Sequence, residues 1–505
     1  MESKHQIEIE RKYLVDLVGE LPQPVVSDIL QTYLLSDDGS VRRVRRRCGV
    51  LPDDRPRFFY TTKRRIAYDR SFEHEEEIDE ARYTRLLAER DPQRGTVHKQ
   101  RIVFSYRDQC FELDRFVSPA LDHCLLEIEG AESADQVSLP PFLRVVADVT
   151  GSSDYSNANI ALRVPQGFQL QEQVSLLPFN TFGIDALARR FAVLHSVDDY
   201  RSLLRSQLLS QMPFFVLGGG SNVVFTGDYQ GLVVHPANRG IRLLDQRDGF
   251  CFVEAQAGEK WDDFVRYCIA FGWHGLENMV AIPGCVGAAP VQNVGAYGRE
   301  AKDVIHRVHA FDIATGLERW FDASECGFAY RWSRFKGDLK NRYLIDRVVF
   351  RLESAFRPLL SYKALAAALA AGGNDSPSAA EVAAAVSSMR DSKLPDPKVI
   401  GSAGSFFKNP VVPLSQAQQL LHDYPSLVSF PVDARHTKLA AGWLIEQCGW
   451  KGRDQGRVGV YEKQALVLVN RGGCNGSEVR ALADRIADDV RSRFGVSLEC
   501  EAIFV

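Results

Sequence analysis

The sequence predicts a multidomain chain, with a β-rich antiparallel front domain followed by two α+β domains. Three observations carry this. The chain has 505 residues, more than a single hydrophobic core normally serves. To about residue 165, short segments alternate polar and apolar residues at period two, the pattern of half-buried strands. From about Pro178, glycines cluster at 218–220, 284–287 and 295–298 among alternating strand-like and helix-like runs, which argues for α+β layers. The predicted limits are a front domain at 1–165, a linker at 166–177, a second domain at 178–358 and a third at 359–505.

Composition narrows the class. Hydrophobic residues make up 45% and charged residues 25%, as in a water-soluble globular protein. A net charge of −4 gives no reason to expect nucleic acid as a partner. The start lacks the apolar core of a secretory signal, and no run is long enough to insert in a membrane. Ten cysteines without a C-x-x-C pair fit reduced thiols, so a cytoplasmic protein is expected; a monomer is expected as well.

In the front domain, charges recur two residues apart and so share strand faces. The sets are Glu8/Glu10/Lys12, Arg43/Arg45/Arg47, Thr61/Lys63, Glu73/Glu75/Glu77, Lys99/Arg101, Glu112/Asp114 and Glu127/Glu129. A solvated sheet face is the ordinary cause of alternating charge. Here the acidic and basic strands are separate and few neutral residues dilute them. A closed barrel with these faces inward would set carboxylates against guanidinium groups. Between Arg42 and Arg65 there are ten basic residues and two acids, which asks locally for a polyanion. Arg and Lys neutralise phosphates, and carboxylates hold divalent cations that polarise phosphorus and prepare a water. Arg42, Arg46 and Arg47 crowd the basic strand, leaving open which arginines face inward. The run Glu73–Glu77 leaves its register open by one. A helical patch is expected near Glu80 to Arg90. The polar stretch 157–173, with Pro165 and Gly167, reads as a linker and predicts few contacts between the halves.

Glu8-Ile-Glu-Arg-Lys12 resembles the Glu-x-Glu-x-Lys signature of the CYTH superfamily, the triphosphate tunnel metalloenzymes. Arg43-Val-Arg45, Thr61-Thr-Lys63, Glu73-His-Glu75, Lys99-Gln-Arg101, Glu112-Leu-Asp114 and Leu126-Glu-Ile-Glu129 follow in the family's order. The resemblance covers about residues 3–162. It implies an eight-stranded antiparallel tunnel that takes a triphosphate with Mg²⁺ or Mn²⁺. Arg43, Arg45, Lys63, Lys99 and Arg101 would bind phosphate, and Glu8, Glu10, Glu127 and Glu129 the metal. Inorganic triphosphate hydrolysis, thiamine triphosphate hydrolysis, ATP cyclisation and a silent sensor of polyphosphate or nucleotide all fit such walls.

Behind the front domain, Val216-Leu-Gly-Gly-Gly-Ser-Asn-Val-Val224 runs an apolar strand into three glycines, so backbone amides could approach a pyrophosphate. It is not a G-x-G-x-x-G opening a helix, and a Rossmann site is not supported. A second glycine stretch comprises Ile282-Pro-Gly-Cys-Val-Gly-Ala-Ala-Pro290 and Gln292-Asn-Val-Gly-Ala-Tyr-Gly298. Gly401-Ser-Ala-Gly-Ser-Phe-Phe-Lys-Asn-Pro410 reads as a small-residue turn able to fix a hydroxyl beside a flat ligand. An alanine-rich helical pair is expected at 362–371 and 378–392. A last helix, capped by Ser477 and ended by Gly495, would bury Val479, Leu482, Ile486 and Val490.

The Gly-Ser-Phe-Phe-Lys-Asn-Pro segment resembles the signature of the UDP-N-acetylenolpyruvoylglucosamine reductases, over about residues 175–505. Asn180-Thr-Phe-Gly183 is similar to that family's entry motif, and the glycine segments to the FAD clamp of the vanillyl-alcohol-oxidase-like (PCMH-like) flavoproteins. The resemblance implies FAD held by Asn180, Thr181, Gly218, Gly219, Gly220, Ser221, Asn222, Pro283, Gly284, Gly287, Ala288 and Gly295. It implies NADPH as hydride donor and a UDP-sugar substrate contacted by Tyr362, Lys393 and Asn409. Ser405 would be the proton donor, with Arg331 and Glu501 assisting, in a step that makes UDP-N-acetylmuramate for peptidoglycan. The tail Glu501-Ala-Ile-Phe-Val505 lacks the arginine usual in the family. A flavin oxidase using oxygen is the more distant alternative.

Overall fold

The computed structural model describes the chain apart from residues 1–5, 37–38, 50–53, 67–69, 132, 165–168 and 372–375, and apart from the side chains of residues 6–8 and 65. Nine strands form the front domain: β1 (Gln6–Leu17), β2 (Val25–Leu34), β3 (Val41–Gly49), β4 (Arg57–Arg65), β5 (Arg70–Ile78), β6 (Val97–Tyr106), β7 (Gln109–Ser118), β8 (Cys124–Glu129) and β9 (Leu143–Asp148). The order is β5-β4-β3-β2-β6-β7-β8-β1-β9, and β1 also pairs with β5. Eight strands therefore close into an antiparallel barrel. The length of β1 makes this possible: Gln6–Ile9 pair with β5, while Tyr13–Leu17 pair with β9 outside the ring.

The barrel has a charged interior, and part of its outer face is apolar. Alternation sends Lys99, Arg101 and Asp114 inward and Ile102, Phe111 and Leu113 outward. The outward set does not meet water. With Tyr13, Val15, Leu126 and Ile128 it joins a single buried core with Trp261, Phe264 and Tyr267 of helix Trp261–Ala270. Leu21 N also donates to Ala270 O at 3.2 Å. The expectation of few contacts between tethered halves is therefore corrected. The reason is that strands with one charged face still carry a second, apolar face that must be covered.

The expected linker is also corrected. Asn157–Ile160 form a helical turn beside the barrel. Gln169–Ser175 form a strand paired antiparallel with Leu187–Leu194. This pair extends a mixed sheet with Tyr229–Pro236 and Phe214–Val216. A five-stranded antiparallel sheet follows, ordered 241–247, 250–256, 343–353, 305–312 and 318–322.

The alanine-rich helices are Lys363–Ala371 and Ala379–Lys393, the second capped by Ser378. Their Leu365, Leu369, Val382 and Val386 enter the core shared with Trp261, although a limit at 358/359 assigns them to the last domain. Conversely Leu176, Phe182 and Phe191 pack with Phe406, Leu444 and Ile486 in a second core. The final helix, Gly476–Phe494, buries Val479, Leu482, Ile486 and Val490 as expected and ends at Gly495 in the left-handed region. Its cap is Asn475 rather than Ser477, because Asn475 Oδ1 accepts from Glu478 N at 2.9 Å and Glu478 returns the bond to Asn475 N.

Candidate active sites: a charged tunnel and a threaded cleft

The barrel encloses a cavity of about 920 Å³. Among the described residues, nine basic side chains line it: Lys12, Arg43, Arg45, Arg47, Lys63, Arg70, Arg94, Lys99 and Arg101. Six carboxylates among the described residues do so as well: Glu10, Glu73, Glu75, Glu112, Glu127 and Glu129. The register question is thereby answered. Arg43, Arg45 and Arg47 face in, whereas Arg42 turns outward to donate to Tyr60 Oη at 3.0 Å and to Glu89 at 2.9 Å. Glu73 and Glu75 face in, and Glu77 forms an exposed pair with Arg57 at 2.6 Å. The supposed linker contributes to the wall, since Asn157 Oδ1 accepts from Lys99 Nζ at 3.1 Å.

Opposite charges are interleaved. Lys12 Nζ lies 2.6 Å from Glu127 and 3.1 Å from Glu10. Arg101 binds Asp114, Glu112 and, at 2.8 Å, Glu127. Arg43 and Lys63 share Glu73 at 2.9 and 3.1 Å. Burial disfavours every one of these charges, so the pairs decide the balance. Burial pulls Lys12 down, but Glu127 and Glu10 outweigh it and hold the ammonium above its usual range. Burial would raise Glu73, but Arg43 and Lys63 bring it to about 2. Lys99 goes the other way. Burial lowers it to about 8 because Arg101 offsets part of the help from Asp114. Arg45 is likewise pressed down by burial, then by Arg43 and Arg101. Its Nε is buried with no hydrogen-bond partner among the described residues. The same guanidinium pairs with Glu75 through Nη2.

For a divalent cation, the wall offers hard carboxylate oxygens of the kind Mg²⁺ and Mn²⁺ take. Glu10 lies opposite Glu129 across β1 and β8, and Glu112 opposite Glu127 across β7 and β8. Both oxygens of Glu127 are engaged, by Lys12 and Arg101. The side chain of Glu8 lies outside the described residues. Among the described residues, no three His, Cys, Asp or Glu side chains converge on one point.

The second site is assembled by the C-terminal tail. Ile503–Phe504 pair in parallel with Val223–Val224, just after the 218–220 glycines. On the other side, Glu501 N donates to Phe406 O at 2.8 Å, and Cys500 bridges to Phe407. Thus Glu501 is held between Asn222, whose Nδ2 donates to its carbonyl at 3.0 Å, and the residue after Ser405. Gly401–Ser405 is a bulged strand rather than the expected turn, paired with Val467–Asn470. Ser405 is exposed at its end, and Gly404 there has a φ of +65°.

Arg331 completes the group. Its Nε lies 2.9 Å from Glu501 Oε1, and its Nη2 donates to Gly295 O at 2.8 Å. Its own φ is +53°, a conformation that non-glycine residues adopt at a cost. Burial raises the Glu501 carboxyl above its usual range, against the opposing pull of Arg331, Lys336 and Lys408. Lys336 is lowered, first by burial and then by Lys408. Lys438 stands 4.5 Å over the Tyr330 ring.

Lys336, Lys438 and Tyr330 were not singled out from the sequence. Lys408 lies within the Gly401–Pro410 segment and Tyr330 directly precedes Arg331, whereas nothing local marks Lys438. Among the expected ligand contacts, Asn409 Oδ1 accepts from Ala441 N at 3.0 Å, and Tyr362 stands edge-on to Tyr297 with centroids 5.1 Å apart. Lys393 is exposed at the end of its helix.

The glycine segments meet face to face. A Cβ on Gly219 would stand 2.8 Å from Gly284 Cα, and one on Gly220 would stand 1.9 Å from Phe179 O. Ser221 Oγ donates to Pro283 O at 3.0 Å. Two turns with little side-chain cover thus lie side by side, which suits a pyrophosphate approached by backbone amides. Thr181 O accepts from Ser402 N at 2.9 Å, and Thr181 Oγ1 donates to Ser402 O at 2.7 Å, which ties this floor to the Ser405 strand. Asn180 is turned inward on its own loop. Its Nδ2 donates to Leu176 O and Ile184 O, and its Oδ1 accepts from Ile184 N. Its side chain therefore shapes the loop.

Comparison with known proteins agrees with this layout. The family model for the C-terminal domain of UDP-N-acetylenolpyruvoylglucosamine reductase matches residues 396–505, and that for an FAD binding domain matches 188–322. The reductase of Neisseria gonorrhoeae is 48% identical over 334 residues, 66% of this chain and 96% of that protein. The one from Pseudomonas aeruginosa is 48% identical over 333 residues, 66% of this chain and 98% of its own length. The crystal structure of the Thermus caldophilus enzyme is 22% identical over 67% of this chain and 99% of its own, with a TM-score of 0.47. That of an inorganic triphosphatase is 28% identical over 31% of this chain and 99% of its own, with a TM-score of 0.24. Nearly whole relatives at this identity extend the likeness well beyond one motif: behind its barrel, the chain belongs to the UDP-N-acetylenolpyruvoylglucosamine reductase family.

Proposed function

We propose that the chain catalyses the NADPH-dependent, FAD-mediated reduction of UDP-N-acetyl-3-O-(1-carboxyvinyl)-glucosamine to UDP-N-acetylmuramate, a step of peptidoglycan synthesis. The observation that carries it is the meeting of Arg331, Glu501 and the Ser405 strand across the C-terminal tail, beside the paired glycine turns. When bound and reduced by NADPH, FAD would supply the hydride for the enolpyruvyl β-carbon. Gly218, Gly219, Gly220, Ser221, Asn222, Pro283, Gly284, Gly287, Ala288 and Gly295, with Thr181, form its seat. Negative charge then grows toward the α-carbon and carboxylate of the substrate. Arg331, fixed by Glu501 and Gly295, stabilises that charge as a preorganised cation. Ser405 gives its proton to the α-carbon, a step a weak acid manages only toward a strongly basic centre. Glu501, raised by burial, polarises the same intermediate. Asn409, Lys393 and Tyr362 belong to the UDP-sugar side.

The full-length protein should purify yellow. NADPH should bleach it quickly and the enolpyruvyl substrate should restore the colour, while air restores it slowly. Fast reoxidation by air with no effect of the UDP-sugar would make it an oxidase instead.

We further propose that the tunnel binds and hydrolyses a triphosphate with Mg²⁺ or Mn²⁺. The excess of inward cations and the orphaned Arg45 Nε support an anionic ligand. Arg43, Arg45, Lys63, Lys99 and Arg101 would hold phosphates. Glu8, Glu10 and Glu129 would hold the metal, with Glu127 available once Lys12 and Arg101 turn to phosphate. Glu10→Gln should then abolish metal-dependent phosphate release from tripolyphosphate, while binding partly survives. If wild-type protein hydrolyses no triphosphate with any divalent metal but still binds one, the tunnel is a sensor.

A further inference from the structure

Strands β6 and β7 have two working faces. Lys99 and Arg101 point into the tunnel, and Asp114 beneath the wall accepts from both. Gln100 and Arg115, each one residue away, point out of it into the reductase half. Gln100 Nε2 donates to Ile241 O at 2.6 Å. The Arg115 guanidinium pairs with Glu259 and lies 5.5 Å from the centre of the Tyr267 ring.

Glu259 is fully buried. One of its oxygens accepts from Gly240 N, and the other meets Arg115 directly, with Arg239 Nη1 at 4.0 Å. A buried carboxylate needs such a partner, and removing one member of a buried pair leaves an uncompensated charge. The backbone around Glu259 carries the second glycine turn. Val286 N donates to Glu259 O at 2.9 Å, Gly287 N to Ala257 O at 2.9 Å, and Trp261 N to Gly284 O at 3.1 Å. The chain from Arg115 to the Gly284–Gly287 turn is therefore one ion pair followed by a short ladder of main-chain bonds.

We propose that Arg115 is a positioning residue for the reductase: through Glu259 it fixes the 257–261 segment that carries the Gly284–Gly287 turn, so the flavin seat is incomplete without the front domain. This rests on the reading of that turn as part of the FAD site. It makes the barrel a structural component of the neighbouring enzyme, whatever the barrel itself binds.

The test uses the full chain stripped of flavin and titrated with FAD, followed by fluorescence and by the visible circular dichroism of bound flavin. Arg115→Ala and Glu259→Gln should each weaken FAD binding by at least about tenfold. Arg115→Lys should recover part of it. The double variant Arg115→Ala/Glu259→Gln should bind better than Arg115→Ala, since no buried charge is stranded, and simple addition of the two losses would overturn the coupling. With FAD saturating, KM for the UDP-sugar should stay unchanged. Glu259→Gln preserves side-chain volume and reads the same pair if Arg115→Ala does not fold. FAD affinity within twofold of the parent in folded variants would overturn the proposal. A parent protein that takes up no FAD would refute the reductase reading instead.

Discussion

The tunnel and the reductase cleft gather their charges in opposite ways. In the tunnel, alternation on adjacent strands of one sheet delivers most of the inward side chains, and Lys12, Arg43, Arg45, Lys63, Lys99 and Arg101 each pair with a carboxylate. In the cleft, Arg331, Glu501 and the Ser405 strand come from three distant segments, and the tail joins them by pairing with Val223–Val224 on one side and bonding Phe406 on the other. The first site is a preformed cage held by many pairs. The second depends on a few contacts, and losing one of them should matter more.

The widest separation should come from Ser405→Ala. NADPH should still bleach the flavin at nearly the parent rate, while reoxidation by the enolpyruvyl substrate slows by about 10²–10⁴. Stopped-flow absorbance reads the two steps separately. Equal slowing of both would mean that Ser405 shapes the flavin pocket.

The cage should be more forgiving. Arg45→Ala should weaken tripolyphosphate binding by roughly 10- to 100-fold, the worth of a charge-assisted contact. The loss should shrink in high salt, where charge is screened. A calorimetric affinity that is unchanged at low salt would remove Arg45 from the phosphate site.

A smaller effect is expected with pH. Burial lowers Lys99 to about 8, so its ammonium is lost as pH rises through that value in the empty tunnel. A bound polyanion favours the charged form, so binding takes up a proton above pH about 8 and affinity falls there. Titrations at pH 7 and 9 should differ several-fold, and Lys99→Met should flatten the difference. A parent affinity constant across this range would contradict the lowered lysine.

The smallest change should follow Asp122→Asn. Its pair with Lys260 at 2.7 Å also joins the two halves, but both side chains are largely exposed. Such pairs contribute about 0–1 kcal/mol. FAD affinity and phosphate release should stay within twofold of the parent. A larger loss would show that the interface is sensitive everywhere and not chiefly at Arg115.

The two regions also differ in how legible they were. Glu10, Arg43, Arg45, Lys63, Lys99 and Arg101 could be placed on shared strand faces from spacing alone, because a strand has period two, but which arginines turn inward was left to the structure. The same rule hid the outer face. Phe111, Leu113, Leu126 and Ile128 belong to the alternation, but only their packing against Trp261 and Phe264 shows what covers them. The polar stretch near 157–173 misled for a related reason. Its residues are polar because Asn157 meets Lys99 in the tunnel and Gln169–Ser175 form an edge strand, not because they span open solvent.

By itself the sequence determined the β-rich front, the facing of most tunnel charges, the last helix with its buried stripe, and the motifs of the rear half. Each of these is a local property, set by side-chain periodicity or by turn chemistry within a few residues. Only the tertiary structure decided that β1 closes the barrel, that the two halves share a core, that Glu501 reaches Arg331, and that Arg115 reaches Glu259. The barrel closure and the two ion pairs join residues from 61 to 170 positions apart, at distances where no periodicity carries information. They are fixed instead by the need to cover apolar faces and to give every buried charge a partner.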